Sequence, residues 1–154
     1  RCTISHHVMQ VCEASMVHQL LHIEAGDRLE TTKQLVNYLS AGIPESDAES
    51  FFIACMNPKR RPICRMHIRT GLLVASRITT ADVFLPLLLS EAKTFACLRT
   101  HPLGAVQPTL ADGRLLYNLR ETGRLIGIQL VDYIIARLDT EEIHSWREHD
   151  HRPL

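Results

Sequence analysis

The sequence predicts a single α+β domain in which helices pack on a sheet. Its 154 residues can bury roughly 70% of the surface of the unfolded chain, so one hydrophobic core suffices. Short apolar runs of strand length are interspersed with longer segments whose apolar residues recur every three or four positions. Runs of the first kind are typical of strands and segments of the second kind are typical of amphipathic helices, and their mixture along one chain indicates the α+β class.

Two helices are predicted before the first strand. The first runs from about Val8 to His22, where apolar residues are three or four positions apart. The second begins at the cap Thr31-Thr32 and ends at Gly42. Its inner face carries Leu35, Val36 and Leu39. Residues 43–50 contain a proline and several acids, so we expect a loop there.

Residues 49–154 are expected to form the core domain, on which residues 1–48 pack as an N-terminal helical extension. Gly123 is expected to end the longest helix of the core, and Pro86 to bend or delay the helix that contains it. The predicted core elements are strands at 51–56 and 62–69, a helix at 80–92, a strand at 95–100, a helix at 109–122, a strand at 125–136 and a short strand at 143–146.

The composition argues against several classes of partner. The 17 lysines and arginines balance the 17 acids, so no net field attracts nucleic acid or an anionic membrane. No apolar run reaches the ~18 residues that a membrane span requires, and the start lacks the layout of a signal peptide. The chain begins at Arg1 rather than at Met, as expected for a fragment or a processed chain. We expect a soluble, cytoplasmic protein that does not contact a membrane.

The cysteines indicate a reducing compartment. They are odd in number, form no Cys-x-x-Cys pair, and three of them fall within apolar strand candidates. We expect reduced core residues rather than a disulfide framework. The five positions are Cys2, Cys12, Cys55, Cys64 and Cys97.

One stretch of the chain carries a recognisable motif. It reads Arg-Thr-His-Pro-Leu-Gly at 99–104, followed by Pro-Thr-Leu-Ala-Asp at 108–112. This stretch resembles the RadC-like branch of the JAB/MPN (JAMM) metallopeptidase family, whose motif runs His-x-His-Pro-Ser-Gly, then Pro-Ser and an Asp. The resemblance extends from about Glu49 to about Glu148 and includes a segment at 125–135 in which Tyr133 replaces a His of the family. It implies a three-layer α/β/α-type, cytidine-deaminase-like fold with a mixed sheet flanked by helices.

The resemblance also implies a zinc site, which this sequence retains in part. His101 and Asp112 match two of the three protein ligands, whereas Arg99 replaces the first His. A hydrolytic zinc needs three protein ligands and a coordination position for water. A guanidinium offers no lone pair, and at ~4 Å and a dielectric of ~20 its repulsion of a divalent ion is roughly 8 kcal/mol. We therefore expect no bound cofactor, and if Arg99 points into the site its natural partner is Asp112.

The catalytic acid that the family places on an earlier strand is also missing. Counting back from Gly71, which resembles a glycine of the family, puts that position at Met66 or His67. Strand alternation places Met66 on one face with Cys64 and Ile68, and His67 on the other with Arg65. The sequence leaves open which of these faces meets the site. His67 could replace the missing ligand or base, although a strand histidine is more often structural.

The retained motif residues have ordinary explanations as well. Thr109 and Asp112 form a Thr-x-x-acid capping box that would satisfy amide groups at a helix start. His101 stands before Pro102 at the end of a strand, where it could simply hydrogen-bond the loop.

Three functions follow as alternatives. The first is a RadC-like domain that has lost zinc-dependent hydrolysis and acts as a protein-binding or assembly module, with the Pro102–Gly104 loop and the groove beside strand 95–100 as its surface for a protein or peptide. The second is a zinc metallopeptidase or isopeptidase with a rearranged site of His67, His101 and Asp112. The third is a DNA-repair accessory protein, against which the neutral charge argues. The sequence gives no indication of the oligomeric state.

Other clusters are weaker signals. His18 and His22 would share a helix face, but without an acid in a His-Glu-x-x-His arrangement the metal signal is weak. The histidines of the charged tail are assigned no function; they are His144, His149 and His151. The basic residues of the predicted hairpin are expected to be solvated rather than to bind phosphates; they are Lys59, Arg60, Arg61, Arg65 and Arg69.

Overall fold

The computed structural model describes residues 27–44 and 46–150. The helix predicted at 8–22 lies outside the described residues, as do Cys2, Cys12 and His151. In chain order the elements are α1 (Thr32–Ser40), β1 (Ser50–Met56), β2 (Pro62–Thr70), a 3-10 turn (Val74–Arg77), α2 (Thr80–Leu89), β3 (Thr94–Thr100), α3 (Leu110–Ile126), β4 (Gln129–Arg137), β5 (Glu142–Ser145) and α4 (Trp146–His149).

The five strands form one mixed sheet in the order β2-β1-β3-β4-β5. β3 and β4 are parallel, and α3 makes the crossover between them; the other neighbouring pairs are antiparallel. The α+β class with a mixed sheet flanked by helices is confirmed.

Helices cover both faces of the sheet, which gives three layers. α2 and α3 pack on one face against Phe95 and Cys97 of β3, and α1 packs on the other face against Ala96 and Leu98. All seven residues of β3 are buried, as expected of a central strand with a helix layer on each side. We call these two sides the α3 face and the α1 face.

The end of α3 differs from the prediction. The helix does not end at Thr122 but continues through Gly123 to Ile126, so β4 begins at Gln129 rather than at 125. A Cβ at Gly123 would lie 2.2 Å from the carbonyl oxygen of Ile128, so this glycine permits a close approach rather than ending the helix. Gly127, with φ 76°, is the left-handed residue that ends it.

Smaller boundary errors have local causes. α2 ends at Leu89 rather than at 92, and Pro86 is accommodated within its last turn. The short strand predicted at 143–146 is Glu142–Ser145, because the Ser145 side chain accepts a bond from the Glu148 amide and thereby caps α4 at Trp146.

Two further sequence expectations concern the core and the membrane. Cys55, Cys64 and Cys97 are free and buried, which confirms the prediction for these three cysteines. Within residues 27–44 and 46–150, no helix combines the length and the apolar character needed to cross a bilayer.

Candidate functional site: a buried arginine–aspartate pair

Arg99 is the next-to-last residue of β3, and strand alternation directs its side chain to the α3 face. It pairs in register with Phe51 of β1 and Ile135 of β4, and its exposed fraction is 2%. A guanidinium buried to this extent needs a counter-charge and hydrogen-bond acceptors, because the group cannot lose its proton.

Asp112 supplies both. Arg99 Nε donates to Asp112 Oδ1 at 2.8 Å, and Arg99 Nη2 donates to Oδ2 at 2.6 Å. This is the two-point geometry in which a guanidinium matches a carboxylate best. The predicted pairing of Arg99 with Asp112 is confirmed.

The remaining acceptor positions of Asp112 are filled by two other residues. Tyr133 of β4 donates its hydroxyl to Oδ1 at 2.7 Å. The Thr109 amide and hydroxyl lie 2.8 and 3.0 Å from Oδ2, while the Asp112 amide donates to Thr109 Oγ1 at 3.2 Å. The predicted capping box is therefore present, and the same carboxylate caps α3 and neutralises Arg99.

Glu49 is a second acid beside the arginine. Its Oε1 lies 3.7 Å from Arg99 Nη1, and its Oε2 accepts the amide of Val74 at 3.1 Å. Arg99 Nη2 also donates to the carbonyl of Gln107 at 3.4 Å. The guanidinium thus ties the start of β1 and the loop before α3 to the end of β3.

The pKa values of the pair follow from this geometry. Burial opposes ionisation of Asp112, but the hydrogen bonds from Arg99, Thr109 and Tyr133 outweigh it and lower the pKa of the carboxyl. Burial likewise opposes the charge of Arg99, but Asp112 outweighs it and raises the pKa of the guanidinium. Burial, with the adjacent Asp112 charge, raises the pKa of Tyr133, so this hydroxyl stays a donor.

A zinc ion does not fit these residues. Both oxygens of Asp112 are already occupied by five donor contacts, two of them from a permanent cation that stands where the family has its first His. Among residues 27–44 and 46–150, no three His, Cys, Asp or Glu side chains are grouped closely enough to bind a metal.

The structure separates the two candidates for the missing catalytic acid. Met66 is buried on the α3 face, the side on which Arg99 and Asp112 meet. His67 is exposed on the α1 face, where its ring lies 4.9 Å from that of Phe52 and its Nε2 is 2.7 Å from Thr70 Oγ1. The candidate on the same face as the site thus carries no titratable group, and the histidine lies on the opposite face.

His101 lies just beyond β3, with its amide bonded to the carbonyl of Ala136 at 2.8 Å. Its side chain lines a groove of about 540 Å³ that Asp112 does not line, and its Nδ1 is buried without a hydrogen-bond partner among the described residues. We call this the His101 groove; it is lined by Ile43, Pro44, Ser46, Asp47, Ala48, Ser50, Thr100, His101, Pro102, Leu103, Leu138 and Asp139. Gly104 has φ 85°, a left-handed conformation that turns the chain after Pro102.

The weaker clusters remain without a function. His18 and His22 lie outside the described residues. His144 and His149 stack with ring centroids 4.2 Å apart, and His151 lies outside the described residues. Arg60 adopts φ 60° in the hairpin turn, where its carbonyl accepts the amide of Leu29.

Sequence reasoning missed two members of the network. Tyr133 stands out in the sequence as a departure from the family, but its bond to Asp112 depends on which face of β4 it occupies. Glu49 carries no motif signal; its contact depends on β1 being paired with β3 so that Ser50 lies opposite Thr100.

Comparisons with known proteins agree with the fold and the motif. A family model described as RadC-like JAB domain matches residues 29–151, which includes α1 and begins before Glu49, where the resemblance was expected to start. A UPF0758 protein of Chlorobaculum parvum is 25% identical over 143 residues, 92% of this chain and 64% of that protein. A UPF0758 protein of Halalkalibacterium halodurans is 28% identical over 153 residues, 92% of this chain and 65% of that protein. The chain thus spans slightly less than two thirds of the length of these relatives.

Proposed function

Because the chain belongs to the RadC-like JAB domain family, we propose that it is a member in which a buried ion pair replaces the catalytic zinc and which binds a protein or peptide instead of hydrolysing it. The carrying observation is that Arg99 and Asp112 form a two-point ion pair with exposed fractions of 2% each. A metal could enter only if this pair separated and left a buried cation without its counter-charge.

The argument against hydrolysis has two further parts. Of the two residues at the position of the catalytic acid, the one on the same face of the sheet as the pair is Met66, which cannot accept a proton from water. The rearranged zinc site of His67, His101 and Asp112 would need three side chains that face the α1 side, the His101 groove and the α3 side respectively. These directions do not converge on one ion.

The His101 groove is the surface that we propose for the partner. It combines apolar walls, including Leu103 at 66% exposed, with hydroxyls, the His101 ring and two carboxylates. Such a mixture suits a peptide segment with an apolar anchor and a basic or amide-rich flank. Pro102 and Leu103, from the Pro102–Gly104 loop, form part of its wall.

The mode of binding differs from the sequence expectation in one respect. β3 is paired with β1 on one side and β4 on the other, so a peptide cannot add to strand 95–100 as a further strand. Within the described residues, β2 and β5 are the edge strands of this sheet. Recognition in the His101 groove would therefore depend on side-chain contacts rather than on main-chain pairing.

Metal content tests the loss of the zinc site. Protein purified without nickel is incubated with zinc, desalted and measured by elemental analysis, together with His101→Ala, Asp112→Asn and the surface control His144→Ala. We expect far less than one zinc per chain, unchanged by His101→Ala or Asp112→Asn. One zinc per chain that is lost in both of these variants but retained in His144→Ala, together with cleavage of a lysine-linked conjugate, would establish the hydrolase instead.

Partner retention tests the binding role. Affinity purification in the presence of a chelator compares the wild type with Leu103→Asp in the groove and with Leu88→Asp, an exposed leucine on α2 with an exposed fraction of 58%. We expect a partner that is retained by the wild type and by Leu88→Asp but lost with Leu103→Asp. Equal retention by both variants would exclude the groove.

A further inference from the structure

α3 has two faces of different character. Its inner face, which includes Leu115, Leu116 and Leu119, is buried against the sheet. The opposite face is open: Leu110 is 84% exposed, Tyr117 is 58% exposed and Leu125 is 87% exposed. These side chains follow the spacing of one stripe along the helix, so they form a continuous surface with partly apolar character. We call it the outer α3 stripe; its residues are Leu110, Arg114, Tyr117, Asn118, Glu121 and Leu125.

The order of residues along the outer α3 stripe is self-complementary. Leucines stand at its two ends, at 110 and 125, and a cation at 114 mirrors an anion at 121. Tyr117 and Asn118 flank the midpoint. A second copy of the helix, laid antiparallel about that midpoint, would place Leu110 opposite Leu125 and Arg114 opposite Glu121, twice each by symmetry. A two-fold interface requires this property, because the same patch must serve both copies.

We infer that the outer α3 stripe is the interface of a two-fold dimer with a second copy of this chain. Charge complementarity favours this occupant over an unrelated partner. Among the described residues, Arg114 has no acidic partner, whereas Glu121 lies within 3.6 Å of Arg120 Nε and 3.5 Å of Arg124 Nη1. In the dimer, Arg114 gains the Glu121 carboxylate of the second copy as an acidic partner, which it shares with Arg120 and Arg124 of that copy.

The surface beside Leu110 can receive the other copy. A groove of about 640 Å³ lies there between α3 and α4, with Pro108, Gly113, Tyr117 and Trp146 among its walls. A Cβ added at Gly113 would meet nothing within 4 Å, so the helix surface is open at this point. In the antiparallel arrangement Leu125 of the second copy faces this groove.

The size of the stripe sets the expected strength. α3 has 17 residues and a length of about 26 Å, so one helix face per copy buries less than the ~800 Å² per partner of a standard stable interface. Interfaces below this size are typical of weak, transient association, so we expect a dimer that depends on concentration rather than a permanent one.

Charge reversal tests both the surface and its symmetry. Sedimentation velocity over a concentration series measures the dissociation constant of the wild type, Arg114→Glu, Glu121→Arg, the double variant and an equimolar mixture of the two single variants. Each single reversal places like charges opposite one another twice, so we expect dimerisation to weaken by about tenfold or more. The double variant and the mixture both restore opposite charges at both contacts, so both should recover most of the wild-type affinity.

The control is Lys33→Glu, which makes the same change of charge on α1, on the other side of the sheet, and should leave association unchanged. Circular dichroism confirms that each variant is folded. A wild type that stays monomeric at hundreds of micromolar would overturn the inference, and so would single variants that dimerise like the wild type. Single variants that dissociate but do not recombine when mixed would overturn the two-fold register and indicate a different partner for the stripe.

Discussion

Asp112 and Asp132 are both buried carboxylates beside an arginine, but they lie on opposite sides of the sheet and in different surroundings. Asp112 is 2% exposed on the α3 face. Asp132 is 0% exposed and pairs in register with Ala96 on the α1 face. Both carboxylates are buried to a similar extent, so a difference between their pKa values reflects the side chains and amides that contact them.

The partners of Asp132 are mostly neutral. Ser145 Oγ donates to Oδ2 at 2.6 Å, and the Arg147 amide donates to Oδ1 at 3.1 Å. The Arg147 side chain is partly exposed, and its Nε is 4.0 Å from Oδ2, too far for a hydrogen bond. Burial raises the pKa of Asp132, and these bonds do not fully offset that effect. Burial opposes the charge of Asp112 as well, yet there the two-point contact with Arg99 lowers the pKa.

The comparison shows what the arginine at position 99 contributes. The hydroxyl and amide donors around Asp132, with an arginine 4.0 Å away, leave its pKa raised, whereas a buried guanidinium in two-point contact lowers the pKa of Asp112. On the α3 face the Arg99 guanidinium is itself buried, so each member of the pair requires the other. Removal of either Arg99 or Asp112 would leave an uncompensated charge in the interior. The Arg99–Asp112 pair is thus a structural element of this chain.

The largest difference between the two networks is expected on removal of the arginines. Arg99→Met leaves Asp112 buried without its counter-charge and should lower the free energy of unfolding by about 3–5 kcal/mol. Arg147→Met keeps the backbone amide that bonds Asp132 and should cost about 1 kcal/mol or less. Urea unfolding at neutral pH measures both, and equal losses would contradict the distinction between the two networks.

The reciprocal change should be nearly as costly and should depend on pH. Asp112→Asn leaves the Arg99 guanidinium with Glu49 at 3.7 Å as its nearest acid, and we expect a loss of about 3 kcal/mol at neutral pH. The pKa of Asp112 is lower in the folded protein than its ordinary value of 3.8, so its ionised carboxylate adds to the free energy of unfolding above pH 3.8. This contribution is lost as the pH falls through the folded-state pKa. The wild type and the variant should therefore converge below pH 3.8, and a constant difference down to acid unfolding would contradict the pair.

The tyrosine contributes a smaller part of the same network. Tyr133→Phe removes one donor from Asp112 Oδ1 while Arg99 Nε remains in place, so we expect a loss of about 1.5 kcal/mol. The pKa of Asp112 should rise towards its ordinary value, so the stability lost in acid should be smaller and its loss should be complete at a higher pH. Urea unfolding over a pH series measures both effects; an unchanged free energy of unfolding and an unchanged acid transition would show that the Tyr133 hydroxyl is not a specific partner of Asp112.

The sequence was sufficient to predict the fold class, most strand boundaries and the pairing of Arg99 with Asp112. Apolar periodicity placed both ends of every core strand within one residue, except the start of β4, which was predicted four residues too early. The error arose because Gly123 looks like a helix end but is in fact a close contact between helix and loop. The pairing of Arg99 with Asp112 could be predicted because a buried guanidinium needs a counter-charge, and Asp112 is the acid that the motif retains.

The rest of the site depends on tertiary geometry that spacing does not encode. Alternation along β2 showed that Met66 and His67 occupy opposite faces, but not which face α3 covers. The central place of β3 depends on the order of the strands, which no local pattern fixes. The surroundings of Asp132 could not be predicted, because its partner Ser145 lies on β5 and is brought close only by the pairing of β4 with β5.

The smallest expected effect is that of Asp132→Asn, which tests the contrast between Asp112 and Asp132 at the Asp132 carboxylate. The pKa of Asp132 is higher in the folded protein than its ordinary value of 3.8, so its contribution to the free energy of unfolding is fully present below pH 3.8. That contribution is lost as the pH rises through the folded-state pKa. Asp132→Asn keeps an oxygen acceptor for the Arg147 amide and carries no charge, so it should escape this loss. Measured by urea unfolding between pH 3 and pH 7, the variant should gain on the wild type as the pH rises, opposite in sign to the trend for Asp112→Asn. If both asparagine variants lose stability relative to the wild type as the pH rises, Asp132 is stabilised as an anion by Arg147 after all, and the contrast between the two faces of the sheet fails.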